Sequence, residues 1–211
     1  MVRPDLRLIE GDALTELRRL QTDSVHCCVT SPPYFGLRDY GIAGQIGLEP
    51  SLDQFIDRLV AVFEEVRRVL HPSGTCWVNM GDSYTSGGRA TFRSSASENK
   101  GHRVQDDMAR PETPTGLKPK DRMMVPFRLA LAMQARGWWL RDVIVWHKPA
   151  PMPESVTDRC TQSWEPVFMF SKSDRYFFDA VAIAEQTEPE SWHHSDFRRV
   201  RNKEVHPTTG K

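Results

Sequence analysis

The 211-residue sequence lacks a net charge, with 28 basic residues balancing 28 acidic ones. It also lacks any apolar run near the ~20 residues that cross a bilayer as a helix. Its opening, Met1-Val2-Arg3-Pro4-Asp5, has none of the apolar core of a secretory signal. The expectation is a cytoplasmic protein with no membrane partner. Cysteine is scarce: there are four, and none forms a Cys-x-x-Cys pair. That supports neither a disulfide framework nor a zinc site. Cys27, Cys28 and Cys76 lie in apolar stretches and Cys160 in a polar loop, and the four are expected to be buried spectators.

What is present is ordinary in bulk. Hydrophobic residues make up 39% and charged residues 27%, the balance of a soluble domain long enough for a sizeable core. The charge is unevenly spread. Residues 1–83 carry 8 basic and 12 acidic groups, residues 84–148 carry 12 and 6, and residues 149–211 carry 8 and 10. A basic middle could follow phosphates or be a solvated loop, and charge alone does not decide between them.

Periodicity gives the elements. Leu6 to Glu10 alternates as a short strand, Ala13 to Leu20 repeats leucine on one helical face, and Val25 to Thr30 is a compact strand stopped by Ser31-Pro32-Pro33. The spacing of Leu52, Phe55, Ile56, Leu59, Phe63, Val66 and Leu70 predicts a helix capped by Ser51. His71-Pro72-Ser73-Gly74 should end it before a strand from Thr75 to Met80. A polar stretch from Ser83 to Asp121 is too long for a plain connection. A helix over Val125 to Arg136, strands over Leu140 to Trp146 and Pro166 to Phe170, and an extended Tyr176-Phe177-Phe178 follow. Strands alternating with helices predict an α/β fold with a mostly parallel sheet and ligands at the carboxyl ends of its strands.

The chemistry concentrates at Thr30-Ser31-Pro32-Pro33-Tyr34. A serine hydroxyl and the carbonyl of a proline locked in an extended turn are two acceptors that can hold an NH₂ group. The aromatic ring that follows offers a face for an unstacked base. A rigid turn with no further role is the alternative on these residues alone.

The run Ser31-Pro32-Pro33-Tyr34-Phe35-Gly36-Leu37-Arg38-Asp39-Tyr40-Gly41 resembles the DNA methyltransferases that act on cytosine N4 or adenine N6. Gly44-Gln45-Ile46-Gly47-Leu48-Glu49, Arg68-Val69-Leu70 and Trp77-Val78-Asn79-Met80-Gly81-Asp82-Ser83-Tyr84 extend the likeness. Trp146-His147-Lys148-Pro149 and Pro151-Met152-Pro153-Glu154-Ser155 do so again. The resemblance implies S-adenosylmethionine as methyl donor and a Rossmann-like methyltransferase fold with strand order 3-2-1-4-5-7-6. It also implies double-stranded DNA as partner and restriction–modification as setting, with the target base flipped out of the duplex.

Carried over by position, Ser31, Pro32, Pro33 and Tyr34 form the amine-gripping loop. Asp12, with Ser31, lies beside the donor, although Asp12 also reads as a simple helix N-cap. Arg38, Lys148 and the tail's Arg198, Arg199 and Arg201 are the candidate DNA contacts. Trp146 reads equally well as core. Serine at the head of the motif favours cytosine N4, with adenine N6 as the alternative. Methylation at cytosine carbon 5 needs a cysteine nucleophile, and no Pro-Cys dipeptide occurs. His193-His194 has no paired ligands that would make a metal site.

In the permuted order that this sequence resembles, a glycine turn of the form Asp-Pro-Phe-x-Gly-x-Gly-Thr closes the donor site, and residues 1–211 contain no such string. The expectation is an incomplete methyltransferase domain over 1–183, interrupted by the polar loop 83–121, with 184–211 opening the block before the missing turn. A second polypeptide carrying the donor half, or a DNA-binding remnant without activity, are the companion readings.

Overall fold

The computed structural model describes residues 6–85, 113–151 and 153–184. The chain divides into two compact units, Met1–Phe177 and Phe178–Lys211. In the second, Asp179 holds a turn by accepting from the amides of Val181 at 3.1 Å and Ala182 at 2.9 Å. All described helices and strands belong to the first.

Helix α1 (Ala13–Arg19) starts on Asp12, whose Oδ1 accepts from the Thr15 amide at 2.9 Å and the Thr15 hydroxyl at 2.8 Å. Strand β1 (Val25–Thr30) follows. Helix α2 (Leu52–Val69) begins where Ser51 Oγ accepts from the Gln54 amide, and Leu52, Phe55, Ile56, Leu59, Val60, Phe63, Val66 and Val69 bury one face of it. Arg68 turns back from the end of α2. It donates to the carbonyls of Leu17 at 2.8 Å and Leu20 at 3.1 Å, tying the end of α2 to the end of α1.

Strand β2 (Leu70–Asn79) starts at once, with no separate turn before it. Val25 pairs with Leu70 and Cys27 with Thr75, so five steps on β2 oppose two on β1. His71-Pro72-Ser73-Gly74 is thus a bulge inside the ladder, as a proline in a strand requires. Gly74 fits because a Cβ there would lie 2.7 Å from Leu70 Cγ and 2.9 Å from the His26 carbonyl.

Helix α3 (Val125–Ala135), strand β3 (Trp139–His147) and strand β4 (Trp164–Ser171) complete the described elements. The sheet order is β1-β2-β4-β3, which matches positions 4-5-7-6 of the order implied by the resemblance. Helices α2 and α3 cover the sheet with a core that includes Phe55, Phe63, Leu129, Met133, Phe168 and Phe170.

Several expectations are corrected. The described sheet is not mostly parallel: only β1 and β2 run together, and β4 is antiparallel to both neighbours. Among the described residues between β3 and β4 there is no crossover helix, and the two strands reverse direction. Leu6 to Glu10 forms no strand, and Leu6 is 96% exposed, because no described strand lies beside it to pair with. Tyr176 to Phe178 forms none either. The Phe177 amide instead bonds the Ser73 carbonyl, and Arg141 Nε donates to the Tyr176 hydroxyl. Cys76 is buried and Cys28 half-buried, but Cys27 and Cys160 are exposed. Alternation along edge strand β1 turns Cys27 away from the side that Cys28 faces. Trp146 is exposed and is not core. Among the described residues no helix is long and apolar enough to cross a membrane.

Candidate active site

Strand β1 delivers the chain to Ser31-Pro32-Pro33-Tyr34 at its carboxyl end, where α/β sheets place their ligands. The turn is buttressed by the block Gly44 to Glu49. The Gly36 amide donates to the Gly47 carbonyl at 2.7 Å. Gly47 has φ +111°, and a Cβ on it would sit 3.0 Å from the Tyr34 carbonyl. Only glycine allows that approach. Glu49, buried, fixes the block from within: Oε2 accepts from the Gly47 amide at 2.9 Å, and Oε1 pairs with Arg58 at 2.6 Å. Arg58 also donates to the carbonyls of Gly44 and Gln45.

Tyr34 is the centre of the site. Its ring faces Gly81, where a Cβ would lie 2.7 Å from Cε2. Its hydroxyl donates to Asn79 Oδ1 at 3.4 Å and stands 3.3 Å from Ser31 Oγ. Tyr34 lines two cavities. One, of about 380 Å³, also has Ser31, Pro32, Pro33, Arg38 and Tyr40 in its wall. The other, of about 240 Å³, includes Gly81, Asp82, Tyr84, Pro114 and Met123. Among the described residues no hydrogen bond uses the carbonyls of Pro32 or Pro33. Ser31, Pro32 and Pro33 thus share the wall of the first cavity with Tyr34.

The second cavity is held by Asp82. One of its oxygens accepts from the amides of Val125 and Ser83, both at 2.9 Å, and the other pairs with Arg122 at 2.6 Å. Helix α3 has no side-chain cap of its own at Met124, so Asp82 takes that role from a distance. Arg122 lies over the Trp164 ring. Residues 83–85 and 120–123 form a short antiparallel stem, with the Thr85 amide on the Asp121 carbonyl at 2.9 Å and the Met123 amide on the Ser83 carbonyl at 2.9 Å. Lys120 pairs with Asp158, and Arg159 stacks 3.9 Å from the centre of the Tyr84 ring.

The structure brings Ser31, Pro32, Pro33, Tyr34 and Arg38 together. Arg38 is exposed at the cavity rim. Lys148 forms an ion pair with Glu165, whose Oε1 also approaches Gly81. Asp12 caps α1, and its two bonds from Thr15 hold its carboxyl below the ordinary value. Arg198, Arg199 and Arg201, like His193-His194 and residues 86–112, lie outside the described residues. Sequence reasoning singled out neither Asn79, Gly81, Asp82, Arg122 nor Glu165 by role. Three of them sat inside a matching block, while Glu165 and Arg122 carried no local signal.

This strand order, with an acceptor-lined turn at the end of β1, defines a methyltransferase-type α/β fold. The chain belongs to the N6/N4 methyltransferase family described as DNA methylase, which it matches over residues 25–209. It is 58% identical over 178 residues to the Type II methyltransferase M.XycI of Xanthomonas campestris pv. cyanopsidis, covering 84% of this chain and 58% of that protein. It is 52% identical over 203 residues to M.Cfr9I of Citrobacter freundii, covering 96% and 66%. The chain thus spans about three fifths to two thirds of the length of these two curated relatives. Its backbone also resembles a Thermus thermophilus protein described as a DNA modification methylase and solved with S-adenosyl-L-methionine. The TM-score is 0.53 at 23% identity, over 82% of this chain and 55% of the other. That likeness is one of fold.

Proposed function

We propose that this chain carries the base-binding part of an S-adenosylmethionine-dependent DNA methyltransferase that modifies an exocyclic amine, cytosine N4 in preference to adenine N6. The observation that carries the reading is the Ser31 to Tyr34 turn, whose prolyl carbonyls take no hydrogen bond among the described residues and whose tyrosine lines the cavity. Ser31 Oγ and a prolyl carbonyl accept the two amine hydrogens, which turns the nitrogen lone pair out of conjugation with the base. Tyr34 supplies the face on which the flipped base stacks, offsetting its few kcal/mol of unstacking. Serine at position 31 is what favours cytosine. The Type II names of the relatives support a role as the modification arm of a restriction–modification pair.

The residues present fit the donor in part. Asp12 is exposed at the start of α1, and among the described residues no hydrogen bond uses its Oδ2. With the exposed Ser31 hydroxyl it would hold polar edges of S-adenosylmethionine. The glycine turn that would complete the grip is absent from 1–211. When bound, the donor supplies an electrophilic methyl group.

Transfer of labelled methyl groups to duplex DNA tests the reading, assayed with the chain alone and with a polypeptide bearing the glycine-turn half. Digestion of the product should give N4-methylcytosine. A product of N6-methyladenine alone overturns the base preference. Tight duplex binding without transfer in either assay favours a DNA-binding remnant.

A further inference from the structure

The hydroxyl of Ser31 can act as acceptor or donor, and the amine-gripping role needs an acceptor. What decides between them lies on two other strands. The Pro166 carbonyl on β4 can only accept, and it takes the Met80 amide at 3.4 Å and Asn79 Nδ2 at 3.2 Å. That contact fixes the Asn79 amide, since the flipped rotamer would press one carbonyl oxygen on another. Asn79 Oδ1 therefore points at Tyr34 and accepts its hydroxyl proton, at 3.4 Å. Tyr34 has only that proton to give. Its oxygen is then left to accept from Ser31, at 3.3 Å. With its own proton directed inward, Ser31 presents only lone pairs outward.

We propose that Asn79 is a positioning residue which, through Tyr34, sets the direction of this chain of hydrogen bonds and so makes Ser31 an acceptor toward the target amine. The inference rests on the amine-methylation reading above and adds a residue that never touches the base. The two hydroxyl contacts are long for O–H···O bonds, and catalytic hydrogen bonds of this kind tighten when the substrate fills the site. A base seated against Tyr34 would close them.

The same geometry makes the two substitutions equivalent. Tyr34→Phe keeps the ring against Gly81 and removes the relay, while Asn79→Leu removes its anchor. In either variant the Ser31 proton is free to turn outward toward the amine.

The test is a double-mutant cycle in the full-length protein, with the donor half supplied as needed, read as kcat and KM for duplex DNA. Asn79→Leu and Tyr34→Phe should each lower kcat about tenfold, the scale of one neutral hydrogen bond. KM should change little, and the double variant should be no slower than either single one. Thermal melting of each variant separates a folding defect from the effect on kcat. If the two effects multiply, or if Asn79→Leu is equally costly with phenylalanine at 34, the relay is overturned while the amine reading stands. Ser31→Ala is the control for that reading. If no methyl transfer occurs with the unmodified protein on any duplex, the amine reading itself fails and the relay falls with it. A full effect of Asn79→Leu confined to KM also overturns it.

Discussion

A Cβ atom on Gly81 would stand 2.7 Å from Cε2 and 3.3 Å from Cδ2 of Tyr34, with Glu165 Oε1 3.4 Å away. The ring is therefore placed by the absence of a side chain on the neighbouring strand end. Gly81→Ala should push the Tyr34 ring into its cavity. Misplacing a positioning group by about 1 Å costs on the order of 100-fold in rate, so kcat/KM for methyl transfer should fall by that order. The melting temperature should fall by only a few degrees, since the ring is half-buried and can move.

Asp82 ties together three groups: the start of α3, the Ser83 amide and Arg122. Its carboxylate is almost wholly buried, so Asp82→Ala leaves buried donors unpaired. Removing one partner of such a buried pair typically costs about 3–5 kcal/mol. Urea unfolding should show a loss near the lower end of that range, because Arg122 keeps some access to water and its stacking on Trp164.

Glu49 and Arg58 make a second, independent case. Glu49 is 5% exposed while Arg58 reaches solvent. Arg58→Ala should destabilise by ~2–3 kcal/mol, and Glu49→Gln in the same chain should recover part of it by removing the stranded charge. The block Gly44 to Glu49 should loosen first, seen as faster amide exchange at Gly36, whose partner is the Gly47 carbonyl.

The cap of α1 gives a pH prediction. Asp12 is held below its ordinary value by its hydrogen bonds from the Thr15 hydroxyl and amide, in that order. A carboxyl depressed in the folded state adds stability that is complete above the unfolded value, near 3.8. That contribution is lost as pH falls through the lower folded value. The midpoint of the shift in the Thr15 amide resonance should therefore lie on the acid side of 3.8, the ordinary carboxyl value. Asp12→Asn should abolish that shift while keeping the cap.

Much of this architecture was legible from periodicity. The stripe from Leu52 to Val66 named most of the buried face of α2, and the strand at Val25 to Thr30 has the bounds its pattern gave. What was not legible depends on partners distant in sequence. The alternation at Leu6 to Glu10 is a strand pattern, but a strand exists only beside another, and no described neighbour is there. The His-Pro-Ser-Gly run looked like a terminator because proline and glycine end most elements. Here the ladder between β1 and β2 absorbs them as a bulge. The motif Ser31 to Tyr34 announced its acceptors, yet their direction is set by Asn79 and Pro166, 45 and 132 positions beyond Tyr34, as their numbers show. No local pattern records such a contact.

The short stem formed by residues 83–85 and 120–123 has one more consequence. It brings the two ends of the intervening sequence together by main-chain bonds. Loop closure grows only as the logarithm of length, about 0.6 kcal/mol per doubling. A stem closed by its own ladder therefore fixes Tyr84 and Met123, both in the wall of the second cavity, by bonds that owe nothing to the number of residues between them.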